Sequence, residues 1–114
     1  DLYLNRGICK STAGQFDAAK LDLIAYIEKQ QEDARGYYWM AAVEYLNADN
    51  KACMRYVDMA IALDSTYSDA YYLKGANLAD MGKKLQAMEY FQISYELNPK
   101  QYRAKLNVAI MLID

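Results

Sequence analysis

The chain has 114 residues, 54% hydrophobic and 25% charged, which suits one globular domain and excludes a disordered segment. A net charge of −2 and a pI near 5.1 argue against the clustered cationic surface that neutralises phosphates, so no nucleic-acid partner is expected. The longest apolar run, Val108 to Ile113, covers six residues, far short of a membrane span, so no membrane insertion is expected.

Helical periodicity runs through the whole chain. The first helix is predicted from Leu2 to Ala13, with a turn at Gly14-Gln15 and a second helix from Phe16 to Lys29. The next pair is predicted over Ala34–Asn47 and Lys51–Leu63, with Ala48-Asp49-Asn50 between them. The third covers Asp69–Met81 and Lys84–Leu97, with its turn at Gly82, and a last helix starts after Pro99. Gly14 and Gly82 suit a left-handed turn because they lack a Cβ, and Asn98-Pro99 stops the sixth helix because proline has no N–H to donate. Ser68 or Asp69 is the expected cap of the fifth helix. The 12 tyrosines would suit strands by propensity, but their spacing follows 3.6 and not 2.

The pairs are copies of one another. Gly7, Ala41, Gly75 and Ala109 are small residues 34 apart; Ala19, Cys53 and Ala87 keep the same interval, as do Tyr3, Tyr37 and Tyr71. A fixed period of this length marks a stacked array of one supersecondary unit, in which each helix pair needs its neighbour to bury its apolar face. Units of 1–33, 34–67 and 68–101 are expected, with an extra helix over 102–114.

In these residues the chain resembles the tetratricopeptide repeat family, whose unit is a 34-residue helix–turn–helix. The third unit carries the motif as Tyr71, Gly75, Leu78, Gly82, Ala87, Phe91, Ser94 and Pro99. The second gives Tyr37, Ala41, Cys53, Val57 and Ala60, with Ser65 where proline is usual; the first gives Tyr3, Gly7, Gly14, Phe16, Ala19 and Leu23, with Tyr26 where a small residue is usual. The resemblance implies an all-α, right-handed superhelical solenoid of antiparallel helix pairs, about seven helices in all.

Three sets of residues depart from the pattern. Arg6 and Lys10 are charged where the first helix is usually apolar, as on the solvated face of a capping unit. Glu44 is charged where an apolar residue is usual, and the sequence leaves Lys10 and Lys74 equally open as its partner. Val108 to Ile113 are apolar on every face of the last helix, so a further helix or self-association through 102–114 is expected to cover them. The chain opens on Asp1, which reads as a piece of a longer protein.

Catalysis has little to work with. There is no histidine, so the commonest general base and metal ligand are missing, and neither a metal site nor a cofactor is expected. Cys9 and Cys53 read as buried small hydrophobes, and the six methionines as core filler. Asp17, Asp22, Glu28 and Glu32 read as carboxylates on solvated helix faces. A non-enzymatic module with a protein or peptide partner is the reading that remains.

The resemblance implies that the first helices line a concave peptide groove. Their stripe gives Leu4, Ile8 and Ser11; Arg35, Tyr38, Ala42 and Tyr45; Asp69, Tyr72, Ala76 and Ala79; then Arg103, Leu106 and Ile110. Apolar anchors would sit against Tyr38, Tyr45, Tyr72 and Leu106, with Arg35 and Arg103 steering acidic flanks. Relatives that hold acidic chaperone tails use a clamp of Lys, Asn, Asn, Lys and Arg. The matching places here are Leu4, Ile8, Trp39, Asp69 and Leu73, so that clamp is missing and an apolar or amphipathic segment is the expected ligand. Two other roles stay open at this level: a structural arm whose groove is filled by its own chain or a second copy, and the docking arm of a larger enzyme.

Overall fold

The computed structural model describes residues 1–101, 103 and 106–108, and every regular element among them is a helix. Six are complete: α1 (Leu2–Thr12), α2 (Phe16–Lys29), α3 (Ala34–Leu46), α4 (Asn50–Leu63), α5 (Ser68–Asp80) and α6 (Lys84–Leu97). Arg103, Leu106, Asn107 and Val108 are helical as well. The ends agree with the sequence reading to within one residue. The chain is an all-α solenoid of antiparallel helix pairs.

The turns explain the period. Gly14 and Gly82 have φ of +81° and +80°, and Ala48, at the same register, has +62°. All three positions close the first helix of a pair with the same left-handed step. Asp1 caps α1 by accepting from the Tyr3 and Leu4 amides, Asp33 caps α3 through Arg35 N, and Asp49 caps α4 through Ala52 N. The expected cap of α5 is absent. Tyr67 holds that position without a side-chain bond, and Ser68 and Asp69 lie inside the helix with partners elsewhere. The Ser68 hydroxyl donates to the Ser94 carbonyl at 2.8 Å, the Ser94 hydroxyl donates to Ser68 O at 2.9 Å, and Gln101 donates to Asp69.

Small residues bring the paired helices together. A Cβ added at Gly75 would lie 2.8 Å from the Phe91 ring and 3.1 Å from the Ala87 carbonyl, so α5 rests directly on α6 there. The core forms a string of clusters along the array. Leu4, Ala19, Leu23, Tyr26, Met40 and Val43 form the first, Ala41, Cys53, Val57, Ala60, Ala70 and Leu73 belong to the second, and Leu78, Ala87 and Phe91 form the third.

Charged residues close the seams, in pairs the sequence did not select. Arg6 and Lys10 both meet Asp22, each at 2.8 Å, and Asp22 is buried and not on a solvated face. Hydrogen bonds from Lys10 and Arg6 hold its carboxyl below the usual carboxylate range. Glu44 pairs with neither Lys10 nor Lys74 but with Lys20 of α2, at 2.6 Å, while Lys74 pairs with Asp58. Cys9 is exposed, against the expectation of burial. Its register equivalents Val43 and Asn77 are fully buried, but each lies in a helix with a pair stacked ahead of it, and α1 has none ahead of it in the structure.

Candidate functional site

The stacking identifies the inner wall. Each second helix packs on the first helix of the next pair, and successive first helices also touch, α1 with α3 and α3 with α5. Helices α2, α4 and α6 make no comparable contact with each other, so the array curves toward its first helices. Positions 34 apart line up across this wall: Leu4, Tyr38, Tyr72 and Leu106 in one row, and Ile8, Ala42 and Ala76 in the next. The alanines leave a low floor between tyrosine walls.

The rows are not uniformly open. Leu4 and Ser11 are buried, Leu4 packing in the first core cluster, so they lie beneath the floor and are not part of its surface. Ile8, Tyr38, Ala42, Tyr45, Tyr72, Ala76 and Ala79 are half-buried, each with one side against a core cluster or ring. Leu106 is exposed. Ile110 lies outside the described residues.

The tyrosines are set by their neighbours. Tyr38 packs on Tyr67 with ring centroids 5.1 Å apart and meets Trp39 edge-on at 5.3 Å. Tyr72 lies 5.2 Å from the Phe91 ring, carries the Arg103 guanidinium 5.0 Å above its own ring, and accepts a hydrogen bond from Asn107 at 3.1 Å. Burial, reinforced by the Asp69 carboxylate, pushes the Tyr38 hydroxyl up to about 12; burial and Asp80 do the same for Tyr45, also to about 12. Both phenols, like any tyrosine, are protonated at neutral pH and can donate hydrogen bonds.

Arg35 is not the free cation that the sequence reading made it. Its guanidinium donates to both Asp33 carboxylate oxygens, at 2.7 Å and 3.1 Å for the shortest contact to each, and to the Tyr26 hydroxyl at 3.2 Å. Tyr26 in turn donates to Asp33. This triad holds the Asp33 carboxyl far below its usual range, chiefly through Arg35.

Beyond that edge the structure opens into a cleft of about 1070 Å³ between the α2–α3 and α4–α5 turns, which the sequence reading missed. Its lining includes Glu28, Glu32, Asp33, Arg35, Asp64 and Tyr67. Charges four and five apart at Glu28, Glu32 and Asp33 were the available signal, but only the fold brings Asp64 opposite them. A second, apolar cleft of about 700 Å³ lies on α6, lined by Leu85, Met88, Ile93 and Val108 with Glu89 and Gln92.

The described residues hold one buried and one exposed free cysteine, and no metal-binding cluster occurs among them. Burial pushes the Cys53 thiol up to about 12. No described helix is long and apolar enough to cross a membrane.

No protein-family model matches the sequence, and no curated protein does. In three dimensions the chain is similar to several solved structures. The crystal structure of MamA aligns with a TM-score of 0.86 at 24% identity, over 96% of this chain and 64% of that one. This chain thus spans less than two thirds of the length of MamA in that structure. The first TPR of Spaghetti (RPAP3) bound to the HSP90 peptide SRMEEVD gives 0.89 at 17% identity, over 96% of this chain and 87% of that one. The Yersinia enterocolitica type III secretion chaperone SycD, in complex with a peptide of the translocator YopD, gives 0.89 at 11% identity, over 98% and 91%. The fold is the tetratricopeptide-type solenoid.

Proposed function

We propose that the chain is a non-enzymatic interaction module that holds a peptide segment against α1, α3 and α5. The observation that carries this reading is the inner wall itself: successive first helices in contact, with Ala42 and Ala76 as a floor and Tyr38, Tyr45 and Tyr72 beside them. Two structural neighbours hold peptides, one of HSP90 and one of YopD. The contact surface would be Ile8, Ala42, Tyr45, Ala76 and Leu106 with the open faces of Tyr38 and Tyr72; Leu4 supports it from below. An apolar anchor fits it better than an acidic tail, because the places of the acidic-tail clamp hold Leu4, Ile8, Trp39, Asp69 and Leu73. Burying one leucine-sized anchor contributes roughly 1.5–3 kcal/mol, so micromolar affinity needs several.

The test is to select binders from a random dodecapeptide library on the immobilised chain and map one by amide chemical shifts. Perturbations are expected at Ile8, Ala42 and Ala76. Shifts confined to α2, α4 and α6 would overturn the reading.

A second reading rests on the apolar cleft of α6, where Leu85 is 79% exposed. A second copy of the chain covering this end would make the module an assembly arm, consistent with the apolar residues that follow Val108 in the sequence.

A further inference from the structure

The cleft beside the groove bears on which peptide the groove would take. Its lining carries four carboxylates, Glu28, Glu32, Asp33 and Asp64, against two cations, Lys29 and Arg35. The cations are already committed. Arg35 is held by Asp33 and Tyr26, and the Lys29 ammonium lies 4.8 Å from the centroid of the Tyr3 ring, turned toward α1. Glu28, Glu32 and Asp64 are exposed, and among the described residues none has a cation within ion-pair distance. Asp64 is oriented by neutral donors only, the Thr66 amide and hydroxyl. The cleft therefore carries a net negative charge, four carboxylates against two cations, and Glu28, Glu32 and Asp64 meet none of those cations directly.

This surface is continuous with the groove. Tyr67 lines the cleft, and its ring packs on Tyr38 of the inner wall at 5.1 Å, so the cleft and the groove meet at this pair of rings. At physiological salt, charge is felt over about 8 Å, which covers a peptide flank lying in a cleft of this size. We propose that the acidic cleft receives a lysine- or arginine-bearing flank of the same peptide whose apolar anchor occupies the tyrosine groove. The inference rests on the groove reading above and reverses the charge of the flank expected from sequence. That expectation rested on Arg35 and Arg103; Asp33 and Tyr26 engage Arg35 at the cleft, while Arg103 lies over the Tyr72 ring.

The charge of selected dodecapeptides tests this. Sequences enriched on the parent chain are expected to carry Lys or Arg on one side of the apolar stretch. Selection on the Glu28→Gln, Glu32→Gln, Asp64→Asn triple variant should keep the apolar stretch and lose the basic flank; the Asp64→Asn change retains a carbonyl acceptor for Thr66. A fluorescein-labelled peptide selected on the parent should bind the triple variant about tenfold more weakly at near-physiological salt. Enriched sequences with no basic excess, or equal affinity for parent and triple variant, would overturn the cleft assignment and leave the groove reading intact. Selected peptides indifferent to the uncharged Ala76→Gln, Leu106→Gln double variant, or a selection that enriches nothing, would overturn both.

Discussion

Ala48 holds a left-handed backbone that its register equivalents, Gly14 and Gly82, reach without a Cβ. Such a conformation costs a non-glycine residue about 1–2 kcal/mol, partly offset by glycine's greater unfolded freedom, so Ala48→Gly should stabilise by about 0.5–1 kcal/mol. The urea midpoint should rise with an unchanged slope; a lower midpoint would refute the assignment. Titration gives a second residue-scale prediction. Asp22 and Asp33 have folded pKa values below the unfolded 3.8, so the stability they contribute is complete above that value and is lost as pH falls through the folded values. These groups should contribute in full and leave thermal midpoints independent of pH between about pH 7 and pH 5, and midpoints should fall below about pH 4, less steeply in Asp22→Asn. The burial of Asp22 was not legible in the sequence. Its spacing marks a helix flank, and what buries it is the reach of Arg6 and Lys10 from the facing helix. Cys9 failed in the opposite sense, since its register is a buried one but nothing in the structure stacks on it.

At the level of helices, one seam position changes chemistry along the array. Lys20 and Glu44 are 24 residues apart and pair across the first inter-unit seam. Met54 and Leu78, the same 24 residues apart, occupy the second, where Met54 packs on the cluster containing Leu78. Noticing this repeated offset would have selected Lys20 over Lys10 and Lys74 as the partner of Glu44. The prediction is a double-mutant cycle. Lys20→Met alone leaves Glu44 buried without a partner and should cost about 3 kcal/mol, whereas Lys20→Met with Glu44→Leu copies the second seam and should be neutral or stabilising by about 1–4 kcal/mol. Equal losses in the single and double variants, read by denaturant unfolding, would refute the equivalence of the seams. Helix ends were legible because glycine, proline and the period agree on them. The cap of α5 was not, because Ser68 and Asp69 bind across to Ser94 and Gln101, partners no local pattern announces.

Over the whole molecule, the solenoid was legible because three copies of one pattern reinforce each other, while the depth of each groove residue was not. Periodicity puts Leu4 and Tyr38 in one row, yet Leu4 is sealed by the first core cluster and Tyr38 keeps an open side. The apolar end of the array belongs to this scale. If a second copy covers the α6 cleft, sedimentation should show a concentration-dependent dimer that Leu85→Lys disperses without loss of helicity. A monomer at all concentrations would refute association through this end. The one-sided contact between units has a mechanical consequence. With first helices touching and second helices apart, the inner edge acts as a row of pivots and the outer edge as a set of gaps. The array is therefore stiff against closing further and compliant against opening, and a guest spanning α1, α3 and α5 would act as a tie-rod that fixes its curvature.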